Sequence, residues 1–296
     1  MKNAFSQYHP LVQFLYFSAV LLFTMCIMHP VCIGTSFLTS VCYALYLGRR
    51  KILSVMFRFL LPMSVFIALC NPLFNHAGIT ILAYFPDGNP LTLESLFFGL
   101  AAGVMFSSIL LWCICLQYNL SSDRVIYLFS RVSSKMGLLL SMILRFIPKL
   151  TAQFRKIRMA QHGIGRDLNQ GNLWKRTRNA VRIVSVLLQW VLENAIDTAD
   201  SLKSRGYGLP HRTSFSLFRF DKRDALTTVV LVLICTVLIA AGLSDGLSCD
   251  YFPSFEIPEN GALQWLSYSL YALLCLLPLY LDRKEVRKWN VIRSRN

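Results

Sequence analysis

Acidic side chains are scarce in this chain, and so are the signatures of catalysis. Asp and Glu number 15 in 296 residues, half the 30 Lys and Arg. Charged residues of both signs make up 15% of the chain, against ~25% in ordinary globular domains. With 55% hydrophobic residues and a mean hydropathy of +0.49, this excludes an ordinary soluble domain and points to a polytopic membrane protein. No Gly-x-x-x-x-Gly-Lys-Ser/Thr loop is present to cradle nucleotide phosphates, and neither Gly-x-Ser-x-Gly nor His-Glu-x-x-His occurs. The nine cysteines form no Cys-x-x-Cys pair, and most lie in apolar runs where a thiol packs as a small apolar group. His9, His29, His76, His162 and His211 are scattered, so no metal site and no cofactor are expected. The apolar runs lack paired carboxylates, with Glu94 at an outer edge, which disfavours a proton-coupled carrier. The N-terminal stretch has neither a charge cluster nor a small-residue cleavage site, so the first apolar run is expected to be retained.

What is present is a set of apolar runs near the ~20 residues that cross ~30 Å of hydrocarbon as a helix. They are Leu11–Met28, Val31–Leu47, Ile52–Cys70, Leu93–Leu116, Ala225–Gly242 and Leu263–Leu281. Six crossings put both ends on one side. The segments then left outside, His29–Pro30, Asn71–Thr92 and Leu243–Ala262, contain no Lys or Arg. All 30 bases fall on the other side: Lys2, the group Arg49, Arg50, Lys51 and Arg58, 19 between Asn119 and Asp224, and six after Leu281. The positive-inside rule therefore predicts that both termini are cytoplasmic. Arg58, about two turns into the third run, is expected to snorkel to the inner interface, a buried functional pair being the alternative.

The expected organisation is a membrane part at 1–118, a basic cytoplasmic helical part at 119–224, two further spans at 225–281 and a basic tail at 282–296. In the outer loop, at about 71–92, alternation from Ile79 to Tyr84, a turn at Asp87-Gly88 and Leu91–Leu93 predict a short hairpin. The helical part holds 19 bases and seven acids. Nucleic-acid binding by this charge is possible in principle, but attraction to anionic lipid accounts for it more simply, and no nucleic-acid partner is expected. Val125, Leu128, Phe129, Val132 and Met136 form one face of an amphipathic helix that Ser122 can cap, with Arg124, Arg131 and Lys135 on another face. A second helix, with Gly137–Ile147 too short to span, is expected to kink at Pro148 and end at Gly163 and Gly165. A third, of ~27 residues and ~40 Å, carries a seam of Val184, Leu188, Val191, Ala195, Ala199 and Leu202. That seam either holds the helices to each other or faces a partner. This helix is expected to stop at Arg205 and Gly206, with Pro210 blocking continuation.

Three stretches, "NPLFNHAGIT" (Asn71–Thr80), "RFIPKLTAQFRKIRMAQHGIG" (Arg145–Gly165) and "ADSLKSRGYG" with "RTSFSLFRFDKRD" (Ala199–Asp224), carry a family resemblance. The chain resembles the transmembrane T component (EcfT/CbiQ-like) of energy-coupling factor (ECF) transporters. The resemblance implies an all-α membrane protein of about six spans with long cytoplasmic coupling helices, placed in a prokaryotic plasma membrane. It implies two ABC-type ATPases that hydrolyse ATP, so that this chain is not itself an enzyme. It also implies one small membrane S component that binds a vitamin or metal ion. In the family, two Ala-Arg-Gly-like tips dock on the ATPases. The second corresponds here to Ser204-Arg205-Gly206. The first reads Gly163-Ile164-Gly165, with isoleucine for arginine, so that Arg166 or an apolar contact would serve instead, and unequal tips would suit two non-identical ATPases. A dedicated cobalt or nickel T component has the same fold and is the alternative. A stand-alone channel or carrier, or a scaffold, are readings of a different class.

Overall fold

The computed structural model describes residues 5–84, 89–166, 172–207, 218–244, 247, 249, 251–252 and 261–295. Its helices are α1 (Pro10–Cys26), α2 (Pro30–Val55), α3 (Leu61–Phe74), α4 (Leu93–Asn119), α5 (Ser122–Val132), α6 (Ser134–Gly163), α7 (Leu173–Ser204), α8 (Lys222–Leu243) and α9 (Gly261–Arg295). A π-helical turn, Met56–Leu60, leads into α3, and two short strands, β1 (Ile81–Tyr84) and β2 (Pro90–Thr92), pair antiparallel. The expected hairpin is therefore present, while its turn at Asp87-Gly88 lies outside the described residues. The chain divides into two compact units, Met1–Val125 with Phe218–Asn296, and Ile126–Leu217.

Each of the six expected runs coincides with helix. Six helical segments are long and apolar enough to cross a membrane: Pro30–Gly48, Met56–Phe74, Leu93–Asn119, Met136–Gly163, Lys222–Leu243 and Gln264–Arg287. Five of these match expected spans. The remaining one lies within α6, where Gly137–Ile147 alone is too short to span and a kink is expected at Pro148. Instead α6 is a continuous α-helix through Pro148. The expected first span, α1, is an apolar helix of 17 residues, or ~26 Å. The third spanning segment starts at Met56 rather than at Ile52. Arg58 therefore sits two residues from its beginning, on an exposed site in the π-helical turn, and needs little reach to place its guanidinium at an interface. Between the second and third spans the chain stays helical but bends at Gly48, where φ is −149° and ψ 36°.

In a bilayer every buried polar group has to be satisfied within the protein. The core of the membrane unit shows this. Tyr16, Phe17, Tyr43, Leu111, Trp112, Tyr271 and Leu274 are fully buried. Among them the Trp112 indole N–H donates to Ser36 Oγ at 3.0 Å, and Thr24 Oγ1 lies 3.1 Å from Ser36 Oγ and 3.0 Å from the Tyr271 hydroxyl. These bonds tie α1, α2, α4 and α9 together. α3 and α4 pack at backbone distance: a Cβ at Gly99 would lie 2.8 Å from the Ala68 carbonyl oxygen, and one at Gly103 only 2.5 Å from that of Ser64. The Gly-x-x-x-Gly spacing on α4 thus meets small residues on α3, as membrane helix pairs favour. Most other side chains of α3, among them Phe66, Leu69 and Leu73, are exposed and apolar, as a lipid-facing surface requires.

The N-terminal segment is clamped by carboxylates. The Phe5 N–H donates to Asp282 at 2.7 Å, and the His9 N–H to Asp224 at 3.1 Å. The expected basic tail is helical as far as Arg295, and Asp282 is fully buried within that helix. Gln13 donates to the carbonyls of Phe5 and Tyr8 and accepts from Arg124 at 2.9 Å. Arg124, expected on a basic face of α5, is thus turned inward, and it also donates to the Asn119 carbonyl at 2.6 Å. Burial lowers its pKa from the usual guanidinium value.

Candidate functional site

The helical unit begins with an elbow. Ser122 is the first residue of α5 rather than its cap, and the Ser121 carbonyl accepts from the amides of Arg124 and Val125. α5 stops at Val132, and extended backbone at Ser133 (φ −150°, ψ 123°) turns the chain into α6, so Met136 belongs to the second helix and not the first. Gly137 makes the elbow possible, because a Cβ there would lie 2.3 Å from that of Ser130.

α7 starts earlier than its apolar period indicates. Asn172 caps it, its side-chain oxygen accepting from the Leu173 amide at 2.8 Å. The helix runs 32 residues, or ~48 Å. Phe146 of α6 stacks on Trp190 of α7 with ring centroids 5.9 Å apart and planes inclined by 18°. Phe146 lies 17 residues before the end of α6, and Trp190 lies 17 residues after the start of α7. Each helix therefore runs ~26 Å from the crossing toward the segment that joins them. The ten peptide steps from Gly163 to Leu173 reach at most ~35 Å, so those two arms open by no more than roughly a right angle. The remaining arm of α7, which leads to Arg205, must point the other way. The C-terminal tips at Ile164 and Arg205 are thus held ~35–50 Å apart.

The two tips share one backbone design. At the end of α6 the Gly165 amide donates to the His162 carbonyl at 3.0 Å and the Arg166 amide to that of Gln161 at 2.9 Å. At the end of α7 the Gly206 amide donates to the Lys203 carbonyl at 3.0 Å and the Tyr207 amide to that of Leu202 at 3.0 Å. Each is a Schellman motif, in which a residue in the left-handed region closes the last turn and satisfies two orphan carbonyls. The left-handed residues are Gly165 (φ +71°) and Gly206 (φ +72°). Just before them, Ile164 (φ −96°, ψ 19°) and Arg205 (φ −85°, ψ 13°) occupy the same structural position. Gly163 corresponds to Ser204, and Arg166 corresponds to Tyr207, so Arg166 does not stand where Arg205 stands. Gly163, Ile164, Gly165, Arg166, Ser204 and Arg205 are exposed and Gly206 is half-buried. Open space surrounds Gly163 and Gly165, so another backbone can approach closely there. Pro210 lies outside the described residues.

Several large apolar side chains of the unit are exposed. Val184 and Leu188 of the expected seam are exposed, as are Leu192 and Ile196, and Ile183 is the buried side chain of α7. Along α6 the same holds for Met136, Leu139, Ile143 and Ile147, spaced as one stripe. Of the rest of that seam, Ala195 and Ala199 are exposed and Val191 and Leu202 half-buried. The Phe146–Trp190 stack, for which no spacing rule gives a signal, joins the two helices. Among the described residues no group of three or more His, Cys, Asp or Glu is placed to hold a metal ion.

Comparison with known proteins gives a consistent picture. Residues 1–215 match the family CbiQ, described as cobalt transport protein. Curated relatives named energy-coupling factor transporter transmembrane protein EcfT include those of Lactococcus lactis subsp. cremoris (strain MG1363), 35% identical over 106 residues, and Lactobacillus helveticus (strain DPC 4571), 34% identical over 106 residues. The relative of the same name from Bacillus selenitireducens (strain ATCC 700615 / DSM 15326 / MLS10) is 29% identical over 128 residues. These matches cover 36%, 36% and 42% of this chain, and the chain spans 40%, 38% and 48% of the length of the three relatives.

Proposed function

Since the chain belongs to the CbiQ family of cobalt transport proteins, a family of membrane transport components, we propose that it is the energy-coupling transmembrane (T) subunit of an ECF-type ABC importer. In this reading two ATPase subunits hydrolyse ATP, one small membrane S component carries the micronutrient, and this chain passes motion from the first to the second. The observation that carries the reading is the pair of glycine-closed tips, alike in backbone, exposed, and ~35–50 Å apart on rigid helices. Separated knobs of this kind suit two separate soluble subunits. Arg205 enters a groove on one ATPase and pairs with acidic or carbonyl groups there, and Ile164 fills the corresponding place on the other. The exposed apolar stripes of α6 and α7 supply the surface on which an S component rests. The basic part at 119–224 and both termini lie in the cytoplasm of a prokaryotic cell. α6 stays out of the bilayer centre because Arg145, Lys149, Arg155, Lys156 and Arg158 fall within it, and each base at a bilayer centre costs ~2.5–3.5 kcal/mol.

Vitamins and related micronutrients are the proposed cargo. A dedicated cobalt or nickel T component is the alternative, cobalt being the metal that the family's description names, and that choice belongs to the S component. The test is purification of the tagged chain from its native membrane in detergent. Two ABC-type ATPase subunits and one small membrane protein should accompany it, and the complex should hydrolyse ATP. Arg205→Glu should lower ATPase recovery by ~30-fold or more, since truncating one partner of a buried charge pair costs ~2–5 kcal/mol, while membrane insertion is unchanged. Solute transport or ATP hydrolysis by the chain alone in liposomes would overturn the reading.

A further inference from the structure

The two tips share a backbone and differ in everything else. Because Ile164 and Arg205 are structurally equivalent, α6 and α7 can be compared residue by residue back from their caps. Residues 149–166 carry five Lys or Arg and no acid, whereas 190–207 carry two Lys or Arg and three acids, Glu193, Asp197 and Asp200. The bases Arg155, Lys156, Arg158 and Arg166 and the acids Glu193, Asp197 and Asp200 are all exposed. At the cap itself an apolar side chain, Ile164 at 61% exposure, replaces the cation. Within ten residues of Ile164 along the chain, Met159, Leu173 and Trp174 are exposed as well. The first tip is thus an apolar knob in a ring of positive charge. The second is a pair of cations, Lys203 and Arg205, with three acids along the helix behind them.

We propose that the opposite charge around the two tips decides which of two non-identical ATPase grooves each tip takes. The α6 tip takes an apolar pocket rimmed by carboxylates. The α7 tip takes a pocket whose floor accepts hydrogen bonds from the Arg205 guanidinium and whose rim is neutral or basic. The inference rests on the reading that the tips dock on ATPases and adds the chemistry of each partner. Its physical basis is that like charges facing each other across an interface suppress the wrong pairing, while complementary ones speed encounter. An acidic rim that attracts Arg155, Lys156 and Arg158 repels Asp197 and Asp200, so exchanging the two tips is penalised at both ends.

The experiment uses the complete complex, purified in detergent, with a photocrosslinking amino acid introduced in place of Ala160 or of Ser201. These positions are equivalent, lie about one turn before the caps, and are exposed. Each should capture one ATPase in at least ~10-fold preference over the other, and the two should capture different subunits. The triple substitution Arg155→Glu, Lys156→Glu, Arg158→Glu should remove the crosslink from position 160 and leave that from position 201. Asp197→Lys with Asp200→Lys should do the reverse. Equal capture of both subunits from both positions, capture of a single kind of ATPase from both, or equal loss of both crosslinks on reversing the charge of one tip would each overturn the inference while leaving T-subunit function intact. Absence of any ATPase crosslink from either position would overturn both.

Discussion

The membrane unit and the helical unit bury their side chains very differently. In the first, Trp112, Tyr16, Tyr43 and Tyr271 are enclosed, and their polar atoms are paired with Ser36, Thr24, Asn119 and the Leu274 carbonyl. In the second, two long helices meet at the Phe146–Trp190 stack and leave rows of Val, Leu, Ile and Met in the open. The membrane unit also exposes apolar side chains, on α3 among others, but it encloses a core as well. A fold that leaves such stripes exposed has them available for other molecules.

The sharpest way to break this comparison is to remove matched apolar side chains from the two units. Trp112→Ala should destabilise the detergent-solubilised chain by ~3–5 kcal/mol, through the cavity and the hydrogen bond lost to Ser36. Leu188→Ala should stay within ~0.5 kcal/mol by the same thermal assay. Comparable losses would show that the helical unit has a closed core of its own. Gly103→Val comes next. The added side chain has to displace the Ser64 backbone at 2.5 Å, and overpacking of this kind costs ~1–3 kcal/mol. A thermal midpoint equal to that of the parent would disprove the close α3–α4 approach.

Effects confined to the tips should be smaller. An L-residue in the left-handed region costs ~1–2 kcal/mol. Gly165→Ala and Gly206→Ala should therefore fray the last turns of α6 and α7, with faster hydrogen exchange at the Arg166 and Tyr207 amides and no change in the global thermal midpoint. Unaltered exchange would argue against the Schellman closures. The smallest effect is expected at His29, between α1 and α2, where burial lowers the imidazole pKa below its ordinary 6.5. The unfolded chain then binds this proton more readily than the folded one. Stability from this group is complete above about pH 6.5 and is lost as pH falls from there through the lowered value. His29→Asn should flatten that part of the pH profile, and an unchanged slope would remove His29 as its cause.

The apolar runs were readable because membrane helices need length and hydropathy, which are local properties. The tips were readable for a similar reason: a glycine after a periodic run announces a left-handed closure, and both Gly165 and Gly206 provide one. The earlier start of α7 rests on the Asn172 cap, a local signal that lies outside the apolar period. The break at Ser133 depends on Gly137 meeting Ser130 across an elbow, and the inward turn of Arg124 depends on Gln13, 111 residues away in the chain. No local pattern encodes either.

By itself, then, the sequence determined that this is a multi-pass α-helical membrane protein whose positive charge is confined to a few segments, because solvent preference acts on each residue separately. Only the tertiary structure decided that Arg166 stands opposite Tyr207 and not opposite Arg205, that the two helices cross at Phe146 and Trp190, and that Val184 and Leu188 of the expected seam are open surface. Those facts arise from hydrogen bonds closing each tip and from packing between distant segments, and such contacts exist only once the chain has folded.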